Sequence, residues 1–141
     1  MANLNIWSKT SYFQVKDREA FLKEIKEVNT EDLRVEEKDG KFILFGGHFM
    51  YVSRDIYNLD GDIIDEVEES MVSILQKHMI QEEKIIVTAA GQEGYRYVGG
   101  DAWIITRTDF VYISLEQAIR KAAVEKGIIT EEESFELTTD D

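Results

Sequence analysis

The chain has neither cysteine nor proline among its 141 residues. Without cysteine there is no disulfide, no thiolate nucleophile and no cysteine-ligated zinc. Without proline nothing forces a kink, and every strand can donate amides along its whole length. Histidine is nearly as scarce. His48 and His78 are the only imidazoles, and they show neither HxxxH nor HExxH spacing. A metal pair would need them to converge in space, and no metal or other cofactor is expected. Positive charge is in deficit: 16 Lys and Arg face 29 Asp and Glu, for a net charge of -13. Such a surface repels phosphate, which argues against direct binding of nucleic acid or anionic membrane and permits a basic protein partner. No apolar run approaches the ~20 residues of a bilayer span. The N-terminal MANLNIWSKTSYF lacks the basic start and apolar run of a secretory signal. The expected location is cytoplasmic.

What is present is ordinary for a folded domain, with 43% hydrophobic residues. At this length one domain is expected, covering residues 1–128, with a mobile acidic tail at 129–141, in which Phe135 and Leu137 could alternatively pair as a short edge strand. Leu4–Val15 is rich in aromatic and β-branched residues and predicts a strand, broken near Ser8–Thr10. Asp17 can cap a helix carrying Phe21, Leu22, Ile25 and Val28 inward, with Lys23, Glu24, Lys26 and Glu27 toward water. Asp39-Gly40 between Leu33–Val35 and Phe42–Phe45 is a hairpin signal. His48–Ser53 suggests a further strand, and Arg54–Gly61 a loop. Asp62–Met79 carries Ile63, Ile64, Val67, Met71, Ile74, Leu75, His78 and Met79 at helical spacing and predicts a second helix.

The stretch from Tyr95 to Ile128 is the most strongly patterned. Gly91–Gly94 and Gly99-Gly100-Asp101 mark turns or bulges around the strand Tyr95–Val98. Ala102–Arg107 and Phe110–Ile113 are strands joined by a tight turn near Thr108-Asp109. Ser114-Leu115-Glu116-Gln117 matches a capping box, and Gly127 suits a left-handed helix end. Leu115, Ala118, Ile119, Ala122 and Ala123 form the apolar face expected to turn inward. The order β-α-β-β-(β)-α-β-β-β-β-α, with hairpin-length joins, predicts an α+β fold: a largely antiparallel sheet of about five to seven strands with three helices.

Motifs for chemistry fail on inspection. In an EF-hand register with Gly61 at the sixth position, Asn58 and Asp60 fit, but Ile56 and Val67 occupy the first and twelfth. The glycines of GQEGYRYVGG lead to Asp101 and another strand, not to the Lys-Ser/Thr of a phosphate loop. Tyr95, Tyr97 and Trp103 have only Arg96 and Arg107 near them, too few bases for a single-strand platform in an acidic chain, and suit cross-strand packing better. No Gly-x-Ser-x-Gly elbow exists, and 29 acids make any carboxylate pair uninformative.

Charge is the remaining signal. From Asp55 to Glu83 nine acids accompany one base, Lys77. On the expected helix, Asp60, Asp62, Asp65, Glu66, Glu68 and Glu69 would form an acidic face able to meet a basic protein partner, in the manner of a DNA mimic or of an anti-restriction, anti-CRISPR or immunity protein. That comparison rests on size and charge alone. The plain alternative is a solvated helix start, where acids offset the dipole. Two other classes stay open. One is a small enzyme or ligand-binding domain with a pocket between sheet and helices, using carboxylates and His48. The other is a homo-oligomer joined through the edges of His48–Ser53 or Leu4–Ile6.

Overall fold

The computed structural model describes residues 4–30, 32–93 and 97–137. The fold is a single α+β domain built on two antiparallel sheets. Strands β1 (Leu4–Thr10), β3 (Leu33–Lys38), β4 (Lys41–Gly46), β7 (Lys84–Glu93), β8 (Tyr97–Thr106) and β9 (Phe110–Ser114) form a six-stranded sheet in the order β3-β4-β1-β7-β8-β9. Strands β2 (Val28–Asn29), β5 (Tyr51–Tyr57) and β6 (Ile63–Ser70) form a smaller sheet in the order β2-β5-β6. The helices are α1 (Arg18–Glu27), α2 (Met71–His78), α3 (Leu115–Lys126) and α4 (Glu131–Glu136).

Local chemistry accounts for much of this. Asp17 caps α1 by accepting from the Ala20 amide. Asp39 and Gly40 both take positive φ, as the β3–β4 hairpin turn requires. Ser114 and Gln117 form the reciprocal capping box of α3, and Gly127 ends that helix in the left-handed region. β1 runs unbroken through Ser8–Thr10, pairing with β7 from Leu4↔Glu93 to Thr10↔Val87.

Strand alternation divides the large sheet into two faces. Phe42, Leu44, Ile85, Val87, Ala89, Trp103 and Ile105 point to the buried side. There they meet Phe21 and Ile25 of α1 and Met71, Ile74 and Leu75 of α2 in one cluster. The centre is aromatic: Phe21 stands 5.7 Å from Phe13, edge to face, and 5.1 Å from Phe42.

Several expectations are corrected. Helix α2 begins at Met71, not Asp62, and the residues before it are strand β6. In a helix, Asp62, Asp65, Glu66 and Glu69 would stack on one face at i, i+3, i+4 and i+7, with like charges repelling. A strand sends alternate acids to opposite sides and suits the β-branched Ile63, Ile64 and Val67, which are exposed rather than part of the core stripe. Arg54 to Tyr57 is strand, not loop, because it pairs with β6. β5 starts at Tyr51, so His48 precedes it.

Gly91 and the Gly99-Gly100 pair lie inside strands, not at turns, and face each other across β7 and β8. Gly91 lets β1 approach: a Cβ there would sit 2.8 Å from Ile6 Cγ1 and 3.1 Å from the Asn5 carbonyl oxygen. Tyr95, within the expected strand Tyr95–Val98, lies outside the described residues. Of the two proposed pairing edges, β5 lies between β2 and β6, whereas β1 lies between β4 and β7 but meets β4 only at Ser8 and Lys9, so Leu4–Ile6 is paired on its β7 side alone among the described strands. Residues 131–136 form a fourth helix instead of an edge strand, its cap made by Thr130 and Glu133.

Candidate functional site: an acidic hairpin and the ion-pair cluster at its base

β5 and β6 form a two-stranded ribbon whose outer part packs on no other element. Every residue from Ile56 to Glu68 is exposed. The tip is built by Asn58, whose side-chain oxygen accepts from the amides of Asp60 at 2.9 Å and Asp62 at 3.0 Å. Gly61 takes φ 84° and donates to the Asn58 carbonyl at 3.1 Å. Seven acids and no base lie between Asp55 and Glu69.

Register decides which acids act together. Asp55 pairs with Glu66 and Ser53 with Glu68, so Asp55, Glu66 and Glu68 share one face with Tyr51 and Ser53. An open depression beside that face is lined by Tyr51, Val52, Ser53, Glu66, Glu68, Glu69 and Ser70. His48 stacks against Tyr51 at its margin, 5.8 Å between ring centres. Asp65 and Glu69 sit at the alternate positions, opposite Ile56 and Val52. Asp60 and Asp62 belong to the tip. The six expected contact residues therefore lie on one hairpin but not on one face, and Glu69 is already engaged.

Glu69 joins a cluster at the base of the ribbon. Arg54 Nη2 donates to Glu69 Oε2 at 3.0 Å and to Glu24 Oε2 at 2.6 Å, and its Nη1 reaches Glu27 Oε2 at 3.4 Å. Lys77 Nζ donates to Glu24 Oε2 at 2.7 Å. His78 Nε2 lies 2.5 Å from Glu24 Oε1. Glu24 is 9% exposed and His78 8%. Burial pushes the Glu24 carboxyl upward. Hydrogen bonds from Lys77, His78 and Arg54 together outweigh burial and hold it down at about 2. Arg54 is raised by its bonds to Glu69 and Glu24.

This cluster was missed by placing Glu24 on the water side of its helix and Arg54 in a loop. A signal for Glu24 existed: with Phe21, Ile25 and Val28 it completes the i, i+3, i+4, i+7 face that the helix buries. Arg54 had none, because its role depends on β5–β6 pairing. The cluster ties α1, α2, β5 and β6 together and fixes the base of the ribbon. Among the described residues no group of three or more His, Cys, Asp and Glu could hold a metal ion, and no helix is long and apolar enough to cross a membrane.

Comparison with protein-family models, curated proteins and solved structures found no significant match.

Proposed function

We propose that the protein is a non-enzymatic binding protein that presents the acidic β5–β6 hairpin to a basic protein partner, with inhibition of a nucleic-acid-handling enzyme as the leading case. The observation that carries this reading is the exposure of Asp60, Asp62, Asp65, Glu66 and Glu68 on a ribbon with no base between Asp55 and Glu69. Side chains two apart on a strand project in a row ~7 Å apart, so Glu66 and Glu68 form a short line of negative charge with Asp55 beside it. Leu59, Tyr57, Ile63 and Ile64 supply exposed apolar area on the same ribbon. A contact that mixes steering charge with apolar burial gains both association rate and residence time.

The test uses the immobilised chain to retrieve proteins from a lysate of its source cells at about 50 mM and about 300 mM salt. Glu66→Lys/Glu68→Lys is run in parallel. The expected result is a basic protein held at low salt, released at high salt and not retained by the variant. The retrieved protein, once purified, should bind the variant at least tenfold more weakly. Retention that ignores salt and charge reversal would refute the proposal.

A further inference from the structure

A second exposed surface lies at the β7–β9 end of the large sheet. Helix α3 is amphipathic and capped at both ends, yet none of its residues is buried. Leu115 is 65% exposed and Ile119 64%, contrary to the inward face that their spacing predicts. The outer face of the neighbouring strands continues the patch. Val111, Ile104 and Ile86 lie side by side in register across β9, β8 and β7, and all three are exposed. Val98 and Trp7 extend it.

Each of these side chains presents on the order of 100 Å² at such exposures, giving roughly 700 Å² of apolar surface. The largest apolar patch on a typical monomer is about 300–600 Å², whereas a stable interface takes about 800 Å² from each partner.

We infer that this face is the interface of a homodimer, in which α3 and the outer side of β7–β9 of one copy pack on the same elements of a second. Three observations favour a second copy over a different partner. Residues 97–128 hold four acids and four bases, so the whole net charge of -13 lies elsewhere on the chain. The strands and helix in contact are therefore neutral, while the acidic α4, with Glu131, Glu132 and Glu133, packs beside α3 at the margin of the patch. Helix α3 carries Glu116, paired with Arg120 of the same helix, in its first turn and Lys126 in its last. Antiparallel packing about a twofold axis therefore sets acid against base and opposes the two dipoles. The patch is also uneven: Leu115 lies over Gly100 of its own chain, Ile119 protrudes, and Ala102 and Ala90 leave a low floor beside Trp7 and Ile104. Strand addition is disfavoured, because the Phe110 amide already donates to Asp109 Oδ1 and the Ser114 amide to Gln117 Oε1. The contact is therefore face to face.

Sedimentation velocity on the intact chain between about 1 and 100 µM tests this. The expected particle has twice the 16.3 kDa chain mass. Ile119→Glu and Val111→Glu, both at exposed positions, should weaken the dimer at least tenfold with an unchanged circular dichroism spectrum. Glu66→Lys/Glu68→Lys should leave it intact, which separates this surface from the acidic ribbon. A wild-type chain that stays monomeric at ~100 µM overturns the inference, as does a dimer that both glutamate substitutions leave unchanged.

Discussion

Replacing Glu24 by glutamine keeps its shape and removes its charge, in a place where Arg54, Lys77 and the His78 ring converge. The folded carboxyl ionises at about 2, against 4.5 for the free group. A depressed value favours the folded state above the unfolded pKa, and that stability is lost as pH falls toward the folded one. At 1.36 kcal/mol per unit, the shift corresponds to about 3 kcal/mol at pH 7 and about 1.4 kcal/mol at pH 3. Removing the charge leaves His78 against a neutral amide in place of a carboxylate, while Arg54 keeps Glu69 and Glu27, and Lys77 is exposed. Glu24→Gln should therefore cost about 3 kcal/mol at neutral pH, or roughly 10 °C in Tm. Urea unfolding of both proteins at fixed chain concentration, from pH 7 to 2.5, measures the gap directly. Most of the gap should close between pH 4.5 and 2. Comparing the two proteins cancels the other carboxylates. A gap below about 1 kcal/mol at pH 7, or one that does not change with pH, would show that the cluster does not anchor the fold.

The acidic ribbon and the α3 face supply two further outcomes. Reversing Glu66 and Glu68 should cut partner affinity at least tenfold and leave unfolding free energy within about 0.5 kcal/mol, since both are exposed; binding assays at two salt concentrations and urea titration check the two halves. Ile119→Glu should give a monomer by sedimentation. Phe21→Ala opens a hole where Phe13, Phe42 and His78 meet and should cost about 3–5 kcal/mol by denaturant titration. Gly91→Ala crowds Ile6 and the Asn5 carbonyl and should cost about 1–3 kcal/mol, read as a lower Tm.

What could be read from the sequence followed the range of the interactions. The α1 cap at Asp17, the Asp39-Gly40 turn, the Ser114 capping box and the Gly127 end depend on residues within a few positions, and all are present as expected. The segment 62–70 was misread because its apolar residues fit a helical stripe that α2 does continue from Met71. Pairing with β5 outweighed that local pattern, and Ser70, which caps α2 by accepting from the Val72 amide, marks the boundary. The exposure of α3 was also illegible: its spacing says that a face is apolar, not what covers it. The acidic residues were found by count. Their arrangement was not, because a strand divides between two sides what a helix would have gathered on one.

The position of β1 has a consequence for how the chain is made. This strand leaves the ribosome before either of its partners, yet it lies between β4 and β7, and its pairing Leu4↔Glu93 joins residues 89 apart (93 − 4). Synthesis at about 5–20 residues per second imposes a wait of roughly 5–20 s between the two. During that wait β1 can pair only with β4, through Ser8 and Lys9, and its opposite side stays open. A product cut short in the acidic ribbon would carry that open strand permanently, next to Trp7 and without the partner that normally closes it. Nascent chains of this protein are therefore expected to depend on being held apart until β7 has emerged, and to tolerate early termination poorly.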